Sequence, residues 1–257
     1  MRNITIYFPF YNQHNALRFN LELYSSFSEE VRECFNLLIV DDGSQKEQAF
    51  QLAKDYVDIL NLNLYKIHVD IPWNQGAANN IAFKESKNEW ILKTGIDWII
   101  KEDDLRIILE SPHHLFLNGF GYFFHGQQVS CCPPFAVCGE QVSPPDIFVL
   151  NKEGYWKTGG YNEYLCGNYG DDFEFRPRLY EKIYPELWGL YMSEVVDDQH
   201  PDDWQDDPNG GPRCPIQSER RPYSTIGLER NVDINLAKSA DPNKPFWTFQ
   251  NSYTKLI

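Results

Sequence analysis

No stretch of this sequence approaches the roughly 20 consecutive apolar residues needed to cross a bilayer. The opening "MRNITIYFPFYN" also lacks an apolar run followed by a small-residue cleavage site. The expectation is a soluble, cytoplasmic protein with no integral membrane segment. Positive charge is scarce: 23 Lys and Arg stand against 37 Asp and Glu, a net charge of -14. Phosphates would be repelled rather than neutralised, which excludes nucleic acid as a partner. A small phosphorylated ligand would need a cation beside it. Paired C-x-x-C spacings are missing among the six cysteines. Cys131, Cys132 and Cys138 near His113 and His114 make a poor zinc set, and reduced thiols are the better reading. Glycine is missing from "PFYNQHNALR" (9 to 18). That argues against a glycine-rich loop cradling a triphosphate after the first strand.

What is present is a regular alternation. "NITIYFPF" (3 to 10) is rich in β-formers, and "FNLLIV" (35 to 40) is a near-continuous apolar run. Such a run fits a strand buried on both faces of a parallel sheet. Residues 13 to 32 predict a helix with Ala16, Leu17, Leu21, Tyr24 and Val31 inward. Ser44 is placed to cap a second helix over "QKEQAFQLAKDYVDIL". Strands over 62 to 69 and 89 to 97 flank a helix that begins near "NQGAANN" (74 to 80). This β-α-β-α-β-α-β order predicts an α/β fold: a mixed, mainly parallel sheet flanked by helices, with an irregular C-terminal extension. The expected division is a domain over 1–200 and an extension over 201–257, packed on the domain as a tail or lid. The 15% aromatic content chiefly fills a core, with Trp73, Trp98 and Trp156 as lesser candidates for stacking on a sugar.

The strand "LLIV" runs straight into Asp41, Asp42, Gly43 and Ser44. Ligands in such sheets sit at the carboxyl ends of strands, and Asp97 ends another strand in "TGID". Four blocks occur in order: "PFYN" (9 to 12), "VDDGS" (40 to 44), "GID" (95 to 97) and "GGYNE…GDDFEFRPRL" (159 to 179). Together they resemble the GT-A fold glycosyltransferases of the family 2 inverting group, over about residues 3 to 200. The last block also resembles the C-terminal motif of galactosyltransferase-type enzymes.

The resemblance implies roles. Asp41 would accept from the imide N–H of the base, usually uracil; an ionised carboxylate is acceptor-only and so selects a donor edge. Asp42 would fix the turn or the ribose. Pro9, Tyr11 and Asn12 would lie beside the nucleotide, as would Asn74 and Gly76. Asn79 stands where the family commonly has Arg, and Gly95 stands where it has the first Asp of Asp-x-Asp. Asp97 keeps the metal-binding position, with His200 as a second ligand for Mn²⁺ or Mg²⁺. Asp172 would be the general base, beside Asp171. Tyr161 and Glu163 would lie near the donor sugar or acceptor.

The function implied is metal-dependent inverting transfer of a sugar. The donor is a nucleotide sugar, most naturally UDP-linked. The acceptor is a hydroxyl on a glycan, a lipid-linked glycan or a protein. The losses at 79 and 95 leave a second reading open: a non-catalytic GT-A module that binds a nucleotide sugar or glycan.

Overall fold

A computed structural model describes residues 3–45, 48–70, 74–96, 98–110, 112–124, 127–129, 136–137, 140–141, 147–163, 171–183, 186–195 and 252–257. Asp97, His200, Trp73, the cysteines after Cys34 and residues 201–251 of the expected extension lie outside the described residues.

The chain runs β1 (Ile4–Phe10), α1 (His14–Ser25), α2 (Glu29–Arg32), β2 (Phe35–Asp41), α3 (Ala49–Ala53), β3 (Asn63–Ile67), α4 (Gln75–Glu85), β4 (Trp90–Lys93), β5 (Trp98–Ile99) and α5 (Glu102–Glu110). Then come β6 (Leu115–Phe124), β7 (Gln127–Val129), β8 (Ala136–Val137), β9 (Glu140–Gln141), β10 (Phe148–Asn151), α6 (Lys152–Lys157), α7 (Asp171–Lys182), β11 (Glu186–Val195) and β12 (Tyr253–Lys255). The main sheet has the order β12-β3-β2-β1-β4-β10-β6-β11-β5. Its β3-β2-β1-β4 portion is parallel, while β10 and β12 join it antiparallel. The end of the predicted extension is thus an edge strand of the main sheet.

Strand alternation sorts the side chains onto two faces. Ile4, Ile6, Phe8 and Phe10 of β1 pack with Leu37 and Ile39 of β2 against α1, α3 and α5. Tyr7, Leu38, Val40, Ile91 and Phe148 face the other way, toward α4, α6 and α7. All seven residues of β2 are buried, as an apolar run in a parallel sheet requires. Residues Gly76 to Phe83 of α4 are buried all round. Small residues there (Gly76, Ala77, Ala78, Ala82) let the helix lie between the sheet and the elements above it.

Three expectations change. The helix expected over 13 to 32 is two helices. The hydroxyls of Ser25 and Ser26 donate back to the carbonyls of Glu22 and Leu23, competing with the helical ladder. Ser28 then starts α2, anchored by its hydroxyl and N–H on Glu102. The helix after β2 is short, and Ser44 does not cap it. Asp41 does, accepting from Ala49 N at 3.4 Å. The fourth strand stops at Lys93 rather than reaching residue 97.

Candidate active site

The carboxyl ends of the parallel strands β1, β2, β3 and β4 lie on one side of the sheet, and the loops after β1, β2 and β3 are tied to each other. The N–H of Asn12 donates to Ser44 Oγ at 3.0 Å. Asn12 itself sits at φ 50°, a left-handed conformation that Asn tolerates. Gly43, at φ 76°, lies so close to the third loop that a Cβ would be 2.8 Å from the carbonyl oxygen of Val69. Tyr11 Oη donates to Asp70 Oδ2 at 3.3 Å. Pro9 is half-buried and pairs in register with Val40. The "PFYN" and "VDDGS" blocks therefore form one surface, with Asp70 as a third contributor.

The two aspartates divide their work differently from the expectation. Asp41 is fully buried; its Oδ1 accepts from Ser44 N at 2.8 Å and its Oδ2 accepts from Ala49 N. It is Asp41 that fixes the turn. Burial pushes its carboxyl up, against the partly offsetting pull of the Ser44 bonds and Lys66. Asp42 turns to the opposite face, where its charge acts on Tyr7.

A second group of residues closes on this edge from α4, α6 and α7. Gly76 opens α4, and a Cβ there would meet Asp171 Oδ2 and Tyr161 Cβ, both at 3.6 Å. Asn80, one turn along, is a hub. Its amide donates to Tyr161 O at 2.9 Å and Glu163 Oε1 at 2.8 Å. Its carbonyl accepts from Tyr155 Oη at 2.6 Å and Tyr161 N at 2.9 Å. Tyr161 is wholly buried, its ring stacked on Phe175 with centroids 4.2 Å apart. Its hydroxyl donates to Asp172 Oδ1 at 2.5 Å. Burial and the neighbouring acids push that hydroxyl well above the usual tyrosine range, so it stays a donor. Arg178 grips Glu174 with two bonds and also binds the carbonyls of Thr158 and Gly160. That fixes α7 on the "TGGYNE" turn, even though Pro177 lies inside the helix.

Of the predicted residues, Gly76, Asp171, Asp172, Tyr161 and Glu163 meet at this junction, with Asn74 buried at the start of α4. Tyr161 and Glu163 enter it from beneath, as buried members of the Asn80 network rather than as exposed sugar contacts. Trp98 belongs to the core on the far face, and Trp156 packs at the edge of the near one. Sequence reasoning missed Tyr7, whose hydroxyl donates to Asn79 Oδ1 at 3.0 Å, and the buried Lys93. A lysine closing the apolar run "WIL" of a buried strand was the available signal.

Among the described residues no group of three or more His, Cys, Asp or Glu forms a ready metal cage. The donor chemistry nonetheless fits a hard divalent cation. Asp42, just after β2, and Asp171, at the start of α7, are both hard oxygen donors whose charges bear on Tyr7.

Residues 5–112 match the family described as Glycosyl transferase family 2. No curated protein sequence matches the chain. Among solved structures, S. aureus TarS 1-349 in complex with UDP-GlcNAc superposes with a TM-score of 0.58 at 16% identity, over 76% of this chain and 59% of that one. The mannosyltransferase PcManGT from Pyrobaculum calidifontis, in complex with GDP-Man and Mn2+, gives 0.55 at 14% identity, over 79% and 60%. GalNAc-T7 with UDP, GalNAc and Mn2+ gives 0.52 at 11% identity, over 76% and 44%. At these identities the likeness is one of fold, and the chain spans about 60% of the TarS 1-349 chain.

Proposed function

Residues 5–112 match Glycosyl transferase family 2 and the fold is that of GT-A enzymes; from these we propose that the chain is an inverting, metal-dependent glycosyltransferase. It moves a sugar from a nucleotide sugar, UDP-linked, to a hydroxyl of a glycan, lipid-linked or protein acceptor. The observation that carries this reading is the seating of the acids that open α7: Asp171 lies against Gly76 at the start of α4, and Asp172 is held by the buried Tyr161.

The nucleotide lies over the tied loops of Pro9, Tyr11 and Asn12, with Asn74 and Gly76 beneath its phosphates. Asp41 orders the turn, and Asp42 takes the donor edge of the base or the ribose hydroxyls. Asp172 accepts the proton of the acceptor hydroxyl as that oxygen bonds to the anomeric carbon. The bond from that carbon to the diphosphate breaks on the opposite side, so the configuration inverts. The Tyr161 hydroxyl fixes one oxygen of Asp172 and so directs the other. Asp97 and His200 are the residues that would hold Mn²⁺ or Mg²⁺. Bound there, the ion would neutralise charge on the leaving diphosphate.

A thermal-shift screen of nucleotide sugars, with and without Mn²⁺, tests this on the wild type and Asp97→Ala. A true donor raises Tm by mass action. The reading predicts that a UDP-sugar stabilises with metal and that Asp97→Ala removes the metal-dependent part. Stabilisation by no nucleotide sugar under any condition contradicts it and favours a glycan-binding module.

A further inference from the structure

One buried serine gathers bonds from three strands. Ser44 is 0% exposed. Its N–H donates to Asp41 Oδ1 at 2.8 Å, at the end of β2. Its Oγ accepts from the N–H of Asn12 at 3.0 Å, in the loop after β1. Its carbonyl accepts from Lys66 Nζ at 3.2 Å, on β3. The first two bonds join loop to loop, and the third reaches in from a strand. A buried carbonyl needs a donor. This donor is charged, which makes the bond stronger than one between neutral groups.

The register explains how a lysine comes to reach this turn. Phe10 of β1, Asp41 of β2, Lys66 of β3 and Thr254 of β12 are consecutive partners across four strands. Side chains in one row share a face, and neighbouring strands lie about 4.8 Å apart. Lys66 therefore stands half-buried beside Asp41, with its ammonium on the turn that follows. Beyond it, β3 is held from outside by β12. The His68 N–H donates to the Ser252 carbonyl at 3.0 Å, and His68 Nε2 is hydrogen-bonded to Thr254 Oγ1 at 2.6 Å. On the inner side, the Asp42 N–H donates to the Phe10 carbonyl at 2.8 Å, so the turn and the end of β1 move together. Asn12 shows what this knot has to resist. Its φ of 50° is a conformation that persists only where the surroundings impose it, and its N–H is bound to Ser44.

We infer that Lys66 is a positioning residue of the nucleotide site: by bonding the Ser44 carbonyl it holds the turn, and through Ser44 Oγ the Asn12 loop, in the arrangement that receives a nucleotide. The nucleotide half of this inference rests on the transferase reading, and the coupling of Lys66 to Asn12 does not.

Lys66→Met removes the ammonium and keeps most of the stem. Two readouts on the full chain decide. The first is amide hydrogen exchange without ligand. Exchange at the Asn12 N–H, on a different loop, should rise about 5-fold or more, the scale of one lost charge-assisted bond, while the core amides of β1 and β2 hold. The second is titration with UDP in the presence of Mn²⁺. Its Kd should rise about 5-fold or more, because a smaller fraction of the chain has its loops in place. Lys182→Met removes an exposed charge from the last turn of α7; it controls for net charge and should leave both readouts unchanged. In Lys66→Met combined with Ser44→Ala, the loss of affinity should fall short of the product of the single losses, since both act through one residue. In turnover, the donor KM should rise while kcat holds within about 2-fold. Asn12 exchange indifferent to Lys66→Met, an unchanged Kd, or a double variant that shows the full product overturns the inference and leaves Lys66 a residue of the sheet alone. If Lys66→Met does not fold, Lys66→Gln, shorter and uncharged, decides on the same two readouts. If the wild type binds no UDP, the transferase reading falls and the nucleotide half with it, while Asn12 exchange still decides whether Lys66 holds the loop.

Discussion

Tyr161 donates its hydroxyl to Asp172 Oδ1 at 2.5 Å, from a ring that is entirely buried. The carboxylate assigned as general base is therefore aimed by the core. Tyr161→Phe keeps the ring stack on Phe175 and removes only the donor. It should lower kcat about 10-fold or more with little change in the donor's KM. Asp172→Asn should lower kcat by about 10²–10⁴, the usual range for a general base, while donor binding persists. Steady-state kinetics on the two variants checks the split.

Asn80 joins Tyr155, Tyr161 and Glu163 with bonds of 2.6–2.9 Å in a fully buried setting. Asn80→Ala strands several buried partners at once. It should cost about 2–3 kcal/mol, or about 4–12 °C in Tm for a chain of this size. Calorimetry or denaturant unfolding reads it directly.

The glycines at 43 and 76 should respond in opposite ways. Gly43→Ala meets a left-handed φ and a backbone oxygen at 2.8 Å. It should cost about 2 kcal/mol or more. Gly76→Ala places its Cβ at ordinary contact distance, 3.6 Å from Asp171 and Tyr161. Helix propensity then favours alanine by about 1 kcal/mol. Its Tm should hold or rise, since the added methyl meets only Asp171, Tyr161 and the Asn162 carbonyl at van der Waals distance. Tm of both variants checks the contrast.

The ends of β1 and β2 were legible because a period-two or continuous apolar pattern acts locally, whereas the break between α1 and α2 and the short α3 depend on side-chain bonds at Ser25, Ser26 and Asp41. The strand-end position of the two aspartates followed from the same pattern. Their roles did not, because which of them turns toward α3 depends on where β2 stops and how Ala49 presents its N–H. The Asn80 hub was not legible either: it joins residues about 80 positions apart, and nothing local marks such a bond. Lys93 was visible as an anomaly in "WILK", but its surroundings required the register of β4 against β1 and β10.

Asp41 gives a pH prediction. Burial raises its carboxyl above the ordinary value. A group of this kind contributes stability below its unfolded pKa, and that contribution is lost as pH rises through the folded pKa. Asp41→Asn removes the charge and loses one acceptor, a cost that does not vary with pH. Relative to wild type, Asp41→Asn should therefore be least stable at about pH 4 and should recover as pH rises toward 7. Paired Tm curves across that range check the slope.

The central claim is that Asp172 performs chemistry on a sugar delivered by a nucleotide. The most direct measurement is nucleotide release from UDP-sugars in the presence of Mn²⁺ and candidate acceptors, with wild type and Asp172→Asn side by side. The account predicts acceptor-dependent UDP release by the wild type and at least about a 100-fold loss in Asp172→Asn, with equal thermal stabilisation of both proteins by donor and metal. Equal turnover by the two proteins, or stabilisation by a UDP-sugar without any release by the wild type, would contradict it.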